Sequence, residues 1–201
     1  MPLPGAEYER ELKAILSGDP QAVSQAAKRC GAEGARAIEA TLVRPFLVAR
    51  AAGSLGCDLI AMSGDFSFPI EVKSSIGDTL RFSGSAHLKE QLATLRRECE
   101  RAGVLPLHAF RRKGLGPKGG DPWRLFTLPG ARFTGRMGLV YHRVPKLDTT
   151  AKGNLVMRWD DGIPLHRLLA YLDAMRAPMA ATPSPPELAS PASAVGAPAA
   201  R

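Results

Sequence analysis

Apolar residues along the chain switch between a helical period and strand-like alternation. In YERELKAIL, Tyr8, Leu12, Ile15 and Leu16 share one face of a helix and the charges take the other. An alanine-rich stretch from Pro20 to Val43 reads as helical, with breaks near Gly31 and Gly34. Phe46 opens a short strand, and Ala52 to Gly56 reads as a flexible turn. Asp58 to Met62 and Pro69 to Lys73 read as two strands around Ser63-Gly64-Asp65. Between Ala86 and Ala102, Leu88, Leu92, Leu95 and Cys99 recur at helical spacing, with Gly103 as the stop. Further strands are expected over Val104–Phe110, Trp123–Leu128 and Asn154–Trp159, and a last helix over Pro164–Met175 with Leu165, Leu168, Leu169 and Leu172 inward. The pattern predicts one mixed α/β domain over residues 1–176. Ala, Pro and Ser dominate from Ala177 to Arg201, which predicts a disordered tail.

Composition narrows the choices. At 201 residues, with 45% hydrophobic and 23% charged, the chain has the makings of one full core. No apolar run approaches the roughly 20 residues that a membrane-spanning helix needs. The first residues turn acidic at once and lack the apolar stretch of a secretory signal, so a cytoplasmic location is expected. Cys30, Cys57 and Cys99 form no C-x-x-C pair, and His87, His108, His142 and His166 are scattered. No disulfide framework or zinc site is therefore expected. A net charge of +8 suits a polyanionic partner, either nucleic acid or an anionic membrane surface.

Chemistry concentrates between Asp58 and Lys73. In a strand, Glu71 and Lys73 share one face while Ile70 and Val72 take the other. A hairpin turning at Gly64-Asp65 sets Asp58 opposite Glu71, with the lysine one pleat along. Two converging carboxylates suit an oxygen-seeking cation such as Mg²⁺ or Mn²⁺, to which the Val72 carbonyl can add a third oxygen. Such an ion polarises a phosphate oxygen and acidifies bound water. A lysine beside it holds that water and offsets charge building on phosphorus. The alternative is an edge strand carrying a solvated Glu–Lys pair.

Tyr8-Glu-Arg-Glu-Leu, Arg50-Ala-Ala-Gly-Ser, Cys57-Asp-Leu-Ile-Ala, Ile70-Glu-Val-Lys-Ser-Ser-Ile-Gly-Asp and Gly153-Asn-Leu-Val-Met occur in that order. The series resembles the archaeal-type Holliday junction resolvases of the PD-(D/E)xK nuclease superfamily. That resemblance implies a restriction endonuclease-like fold, a central mixed β-sheet flanked by helices, with the 20–43 segment as a helical insertion. It also implies a Mg²⁺-dependent endodeoxyribonuclease, acting as a homodimer that nicks opposed strands of four-way DNA junctions and leaves 5′-phosphates. By the same resemblance Asp58 and Glu71 are metal-binding carboxylates, Lys73 is the catalytic lysine and Glu9 is the N-terminal acidic residue that completes the site. Ser54 corresponds to a loop serine near the scissile phosphate, and Gln91 is a further position carried over. Glu33 and Glu39 remain alternatives to Glu9, and Cys57 stands where the family usually has proline. Other functions open at this point are a repair or restriction nuclease of the same superfamily and a non-catalytic DNA-binding protein on the same fold.

Two other motifs compete for attention. Ala52-Gly53-Ser54-Leu55-Gly56 is one residue short of a G-x-S-x-G elbow and runs towards an extended segment, so it reads as a turn or a phosphate-contacting loop. Gly114 to Gly120 lacks the ending of a nucleotide-binding loop and reads as a mobile hairpin loop. From Arg81 to Arg124, ten basic residues face four acidic ones, most of the net charge. Arg111, Arg112 and Lys113, expected at a loop tip, together with Arg96 and Arg97, are candidates for contact with a DNA backbone.

Overall fold

Three helices lead the chain, and their ends follow from local chemistry. The computed structural model describes residues 5–51, 56–82 and 84–176. Helix α1 spans Ala6–Leu16 and buries Leu12, Ile15 and Leu16. Helix α2 (Pro20–Ala27) starts where the Asp19 carboxylate accepts from the Ala22 N–H at 2.9 Å, with proline in the first turn. The chain breaks at Lys28–Gly31 and resumes as α3 (Ala32–Val43). Gly34, expected at a break, lies inside α3 instead, because a side chain there would strike Cys30 and His166 at 2.9 Å. The glycine lets neighbouring elements approach; it does not end the helix.

Strands β1 (Leu47–Arg50), β2 (Leu59–Ser63) and β3 (Phe66–Ser75) then form an antiparallel meander. The turn is the expected Gly64-Asp65, with Gly64 at φ 57°. Pro69 does not disturb it. Phe68 and Ile70 turn their backbone groups towards β2, so Pro69 aims its missing donor the other way. After β4 (Thr79–Arg81) comes α4 (Ala86–Ala102), capped by Ser85 at its start and by left-handed Gly103 at its end. Strand β5 (Leu107–Arg112) pairs in parallel with β3, and β6 (Trp123–Thr127) is antiparallel to β5. Helix α5 (Gly135–Arg143), β7 (Asp148–Thr149), β8 (Leu155–Arg158), β9 (Ile163–Pro164) and α6 (Leu165–Met175) complete the described chain.

The main sheet has the order β1-β2-β3-β5-β6-β9, and a small antiparallel sheet has the order β4-β8-β7. Alternation along the strands splits the core in two. On one face Phe66, Phe68, Ile70, Leu107, Trp123 and Leu125 pack with the apolar stripes of α1, α2, α3, α5 and α6. On the other face Phe110 and Phe126 meet Phe82, Met157 and Trp159 from around the small sheet, with Leu88 and Leu92 of α4 at the border. This is the α/β arrangement expected, a central mixed sheet flanked by helices. The 20–43 stretch contributes Val23, Ala27 and Ile38 to the larger core. Of the small sheet, β8 lies within the strand expected over Asn154–Trp159, whereas β4, β7 and helix α5 have no counterpart in the sequence-based expectation.

The glycine-rich segment also departs from expectation. Far from hanging loose, it contains a short turn of 3₁₀ helix at Pro117–Gly119 and is tied down by Arg29, whose guanidinium donates to the carbonyls of Leu115 (2.6 Å), Gly116 (3.1 Å) and Gly120 (3.4 Å). Residues 177–201, expected as a disordered tail, lie outside the described residues. Among those described, no helix is long and apolar enough to cross a membrane.

Candidate active site

Strand β3 is longer than its neighbour, and the excess carries the chemistry. Pairing with β2 runs from Ser63↔Phe66 to Leu59↔Ile70, which is the register expected. At Asp58 the ladder slips by one. Its N–H, which a regular ladder would turn away from β3, donates to the Ile70 carbonyl at 2.9 Å, so that Asp58 and Leu59 both stand opposite Ile70, the offset a β-bulge introduces. The slip turns the Asp58 side chain along β3, where Oδ2 accepts from the Val72 N–H at 2.6 Å. Asp58 and Glu71 thus come together, but through a bulge and not as a plain cross-strand pair. The N–H and C=O of one strand residue point to the same side, so the Val72 carbonyl faces the Asp58 side as well.

Glu71 and Lys73 share the opposite face, and the Lys73 ammonium donates to Glu71 Oε1. Burial pushes the Glu71 carboxyl above its ordinary pKa. Lys73 pulls it back, while Asp58 and Glu9 push it up further. Glu9 therefore belongs to the same electrostatic cluster. It projects from α1 and pairs with Arg50 at the end of β1. Glu33 and Glu39 sit exposed on α3 and take no part in it.

A cavity of about 320 Å³ opens beside these groups, lined by Gly56, Glu71, Lys73, Gln91, Phe82 and His108 among others. Gln91 thereby joins the site from α4. Cys57, just before Asp58, is buried, and burial pushes the Cys99 thiol on α4 up to about 11. Burial also raises the Cys57 thiol above its ordinary pKa, with Glu71 and Asp58 adding to the effect. Ser54 lies outside the described residues.

His108 was not singled out by sequence reasoning. It is the β5 partner of Glu71, wholly buried, edge-on to Phe82 at 5.6 Å, and neither ring nitrogen has a hydrogen-bond partner among the described residues. Burial, with Lys73 adding to it, holds its pKa down at about 4, so the ring is neutral. Only the β3–β5 register brings it to the site, and no local motif announces that pairing.

The basic candidates part company. Arg111 and Arg112 end strand β5 and do not cap a loop tip. Arg111 is 13% exposed in its side chain, bonds both Glu11 carboxylate oxygens at 3.2 Å and lies against Tyr8 and Trp123. It holds α1 to the sheet. Arg112 packs over Trp159 and Lys113 over Tyr8. Arg96 donates to the Pro129 carbonyl, and Arg97 stands exposed on α4 beside Thr94.

The donor set fits a hard divalent cation. Asp58 and Glu9 act on Glu71 through their charge, where burial penalises uncompensated negative charge, and one ammonium pairs with Glu71; the three carboxylates do not close to within 4.8 Å of one another. No protein-family model matches the chain, and no curated protein matches it. Among solved structures it is similar to Hjc, a Holliday junction resolvase from Archaeoglobus fulgidus, at 20% identity and a TM-score of 0.47, over 83% of this chain and 95% of that one. That likeness is too distant to carry a function across.

Proposed function

We propose that the chain is a metal-dependent DNA endonuclease of restriction endonuclease-like fold, acting as a Holliday junction resolvase. The observation that carries this reading is the meeting of Asp58, Glu71, Lys73 and Glu9 at the overhanging end of β3. Asp58, Glu71 and the Val72 carbonyl would hold Mg²⁺, or Mn²⁺ in its place, with Glu9 completing the set. When bound, the ion supplies Lewis-acid polarisation of a phosphate oxygen and a more acidic water. The protein's part is positional and electrostatic. The Val72 N–H fixes Asp58 in one rotamer and leaves its second oxygen for ligation. Lys73 orients the attacking water and offsets charge as the phosphorus becomes five-coordinate. Glu71 keeps that ammonium aimed into the cavity. Attack by water breaks the bond to the 3′ oxygen and leaves a 5′-phosphate and a 3′-hydroxyl. Exposed cations such as Arg97, with Arg96, Arg112, Lys113 and Ser54, would position the DNA backbone. Cleavage of two opposed strands requires two such sites, so the working form in this reading is a cytoplasmic homodimer on a four-way junction.

The test uses a labelled immobile four-way junction and a linear duplex of the same sequence, with Mg²⁺ or EDTA. Paired, symmetrical nicks on the junction alone, lost with EDTA, are expected. Equal cutting of both substrates would replace the resolvase with a less selective nuclease. Binding without nicking would leave a DNA-binding protein on a nuclease-like fold.

A further inference from the structure

A cavity of about 670 Å³ lies on the helical side of the sheet between α1, α2 and the start of β6. Cys30 and Asp121 form part of its wall, together with Arg10, Glu11 and Arg29. Behind them, at the start of α6, stands His166. Its Nδ1 is 2.8 Å from Asp121 Oδ2 and 3.8 Å from the Cys30 sulfur, and all three donor atoms lie within 4.8 Å of one another. These residues come from three separate stretches of the chain, which is why their spacing in sequence suggests nothing. They stand just before β6 and in the helical layer, across β5 from the carboxylate cluster of β3.

The arrangement is held from behind. Asp121 Oδ1 accepts from the Trp123 N–H at 2.9 Å, and Oδ2 accepts from the His166 N–H at 3.0 Å, which fixes the carboxylate against both β6 and α6. Such outer hydrogen bonds are what orients ligands before a metal arrives. Among the described residues the thiol has only a long contact of 3.6 Å to the Ala26 carbonyl besides the imidazole. Donor chemistry then selects the ion. One sulfur, one imidazole nitrogen and one carboxylate oxygen suit a borderline-soft dication and disfavour Mg²⁺, which demands oxygen ligands and an octahedral shell. With zinc bonds of roughly 2.0–2.3 Å and tetrahedral angles, donor atoms sit roughly 3.3–3.6 Å apart. From the distances here, the imidazole and carboxylate must ease apart by about half an ångström and the sulfur must draw in, by roughly 0.2 Å towards the imidazole and by up to roughly 1.2 Å towards the carboxylate, a matter of side-chain rotation at Cys30. A thiolate and a carboxylate neutralise the ion's charge.

We propose that Cys30, Asp121 and His166 form a three-ligand Zn²⁺ site whose fourth position opens to this cavity and is filled by water. The site is independent of the nuclease reading. Three protein ligands and one open position form the pattern of a reactive or exchangeable zinc, in contrast to the closed four-ligand pattern of a structural one.

The experiment titrates Co²⁺, then Zn²⁺, into the full chain after chelator treatment under a non-thiol reductant. One equivalent of Co²⁺ is expected to produce d–d bands of tetrahedral intensity and a thiolate-to-cobalt charge-transfer band, both removed by Zn²⁺. Cys30→Ser should abolish the charge-transfer band and weaken zinc binding more than about tenfold. Glu71→Gln should leave both bands intact, which separates this site from the carboxylate cluster. His166→Gln keeps the thiol and should weaken binding by the same order, with circular dichroism confirming the fold of each variant. No charge-transfer band in the folded wild-type chain overturns the proposal, as does a band that survives Cys30→Ser.

Discussion

Glu71 and His108 occupy the same rung of the parallel β3–β5 ladder, the carboxylate opening to the cavity and the imidazole buried beside it without a hydrogen-bond partner among the described residues. A histidine held neutral in that position ties stability to pH. Unfolded, it titrates near ~6.5, whereas burial lowers it to about 4 in the fold. Between those values the unfolded chain binds the extra proton, so this contribution is complete above about 6.5 and is lost as pH falls towards 4. The slope is at most about 1.4 kcal/mol per pH unit. Urea unfolding at pH 7.5 and pH 5 should show a smaller drop for His108→Leu than for wild type. An equal drop would mean that the ring titrates normally.

Glu9, and neither Glu33 nor Glu39, should matter for cleavage. Glu9 acts on Glu71 electrostatically, whereas the other two stand exposed on α3. Under single-turnover conditions Glu9→Gln is expected to slow nicking by roughly a hundredfold or more, in the range that a lost positioning or electrostatic group costs. Glu33→Gln and Glu39→Gln should leave the rate within about twofold. A slow Glu33 or Glu39 variant would relocate the third acidic position.

Arg111→Ala should register as lost stability more than as lost DNA affinity. Its side chain is largely enclosed between Glu11, Tyr8 and Trp123, and removing it leaves the Glu11 carboxylate with the Trp123 indole N–H but no cation. A loss of about 1–3 kcal/mol in chemical denaturation is expected. Arg97→Ala, on the exposed face of α4, should leave stability within about 0.5 kcal/mol and lower the salt dependence of DNA binding. The reverse ranking would restore Arg111 to the DNA-contacting face.

Gly18→Ala is expected to be among the most damaging small substitutions. The residue sits at φ 73°, and an added Cβ would lie 2.5 Å from the Thr41 carbonyl oxygen of α3. The left-handed backbone and the clash with main chain together should cost on the order of 3 kcal/mol. Thermal unfolding reads it directly. A variant within about 0.5 kcal/mol of wild type would show that α1 and α3 can separate freely at that corner.

Local pattern carried a great deal here. Helices α1, α4 and α6 were legible from their apolar stripes, and the β2–β3 hairpin from Gly64-Asp65 and the alternation on either side. The Asp58–Glu71–Lys73 grouping followed from that hairpin. What stayed hidden depends on distant pairing. The bulge at Asp58 changes one hydrogen bond without changing any residue's character. His108 meets Glu71 only because β5 crosses over to lie parallel to β3. Arg111 reads as one more cation in a basic run until Glu11, a hundred positions away, is seen to hold it. Helix α5 has only weak local cues: Gly135 and Gly138 dilute its apolar stripe, and it forms against a core that already exists.

The anchoring of residues 115–120 by Arg29 changes how that segment should meet a protease. Read alone, Gly-Leu-Gly-Pro-Lys-Gly-Gly with an exposed Lys118 is an inviting site for nicking after lysine. A protease needs several residues of chain to peel away into its cleft, and here that requires the guanidinium to release three carbonyls. Trypsin is therefore expected to spare Lys118 because of a residue nearly ninety positions upstream, and Arg29→Ala should convert the native protein into one cut cleanly in two.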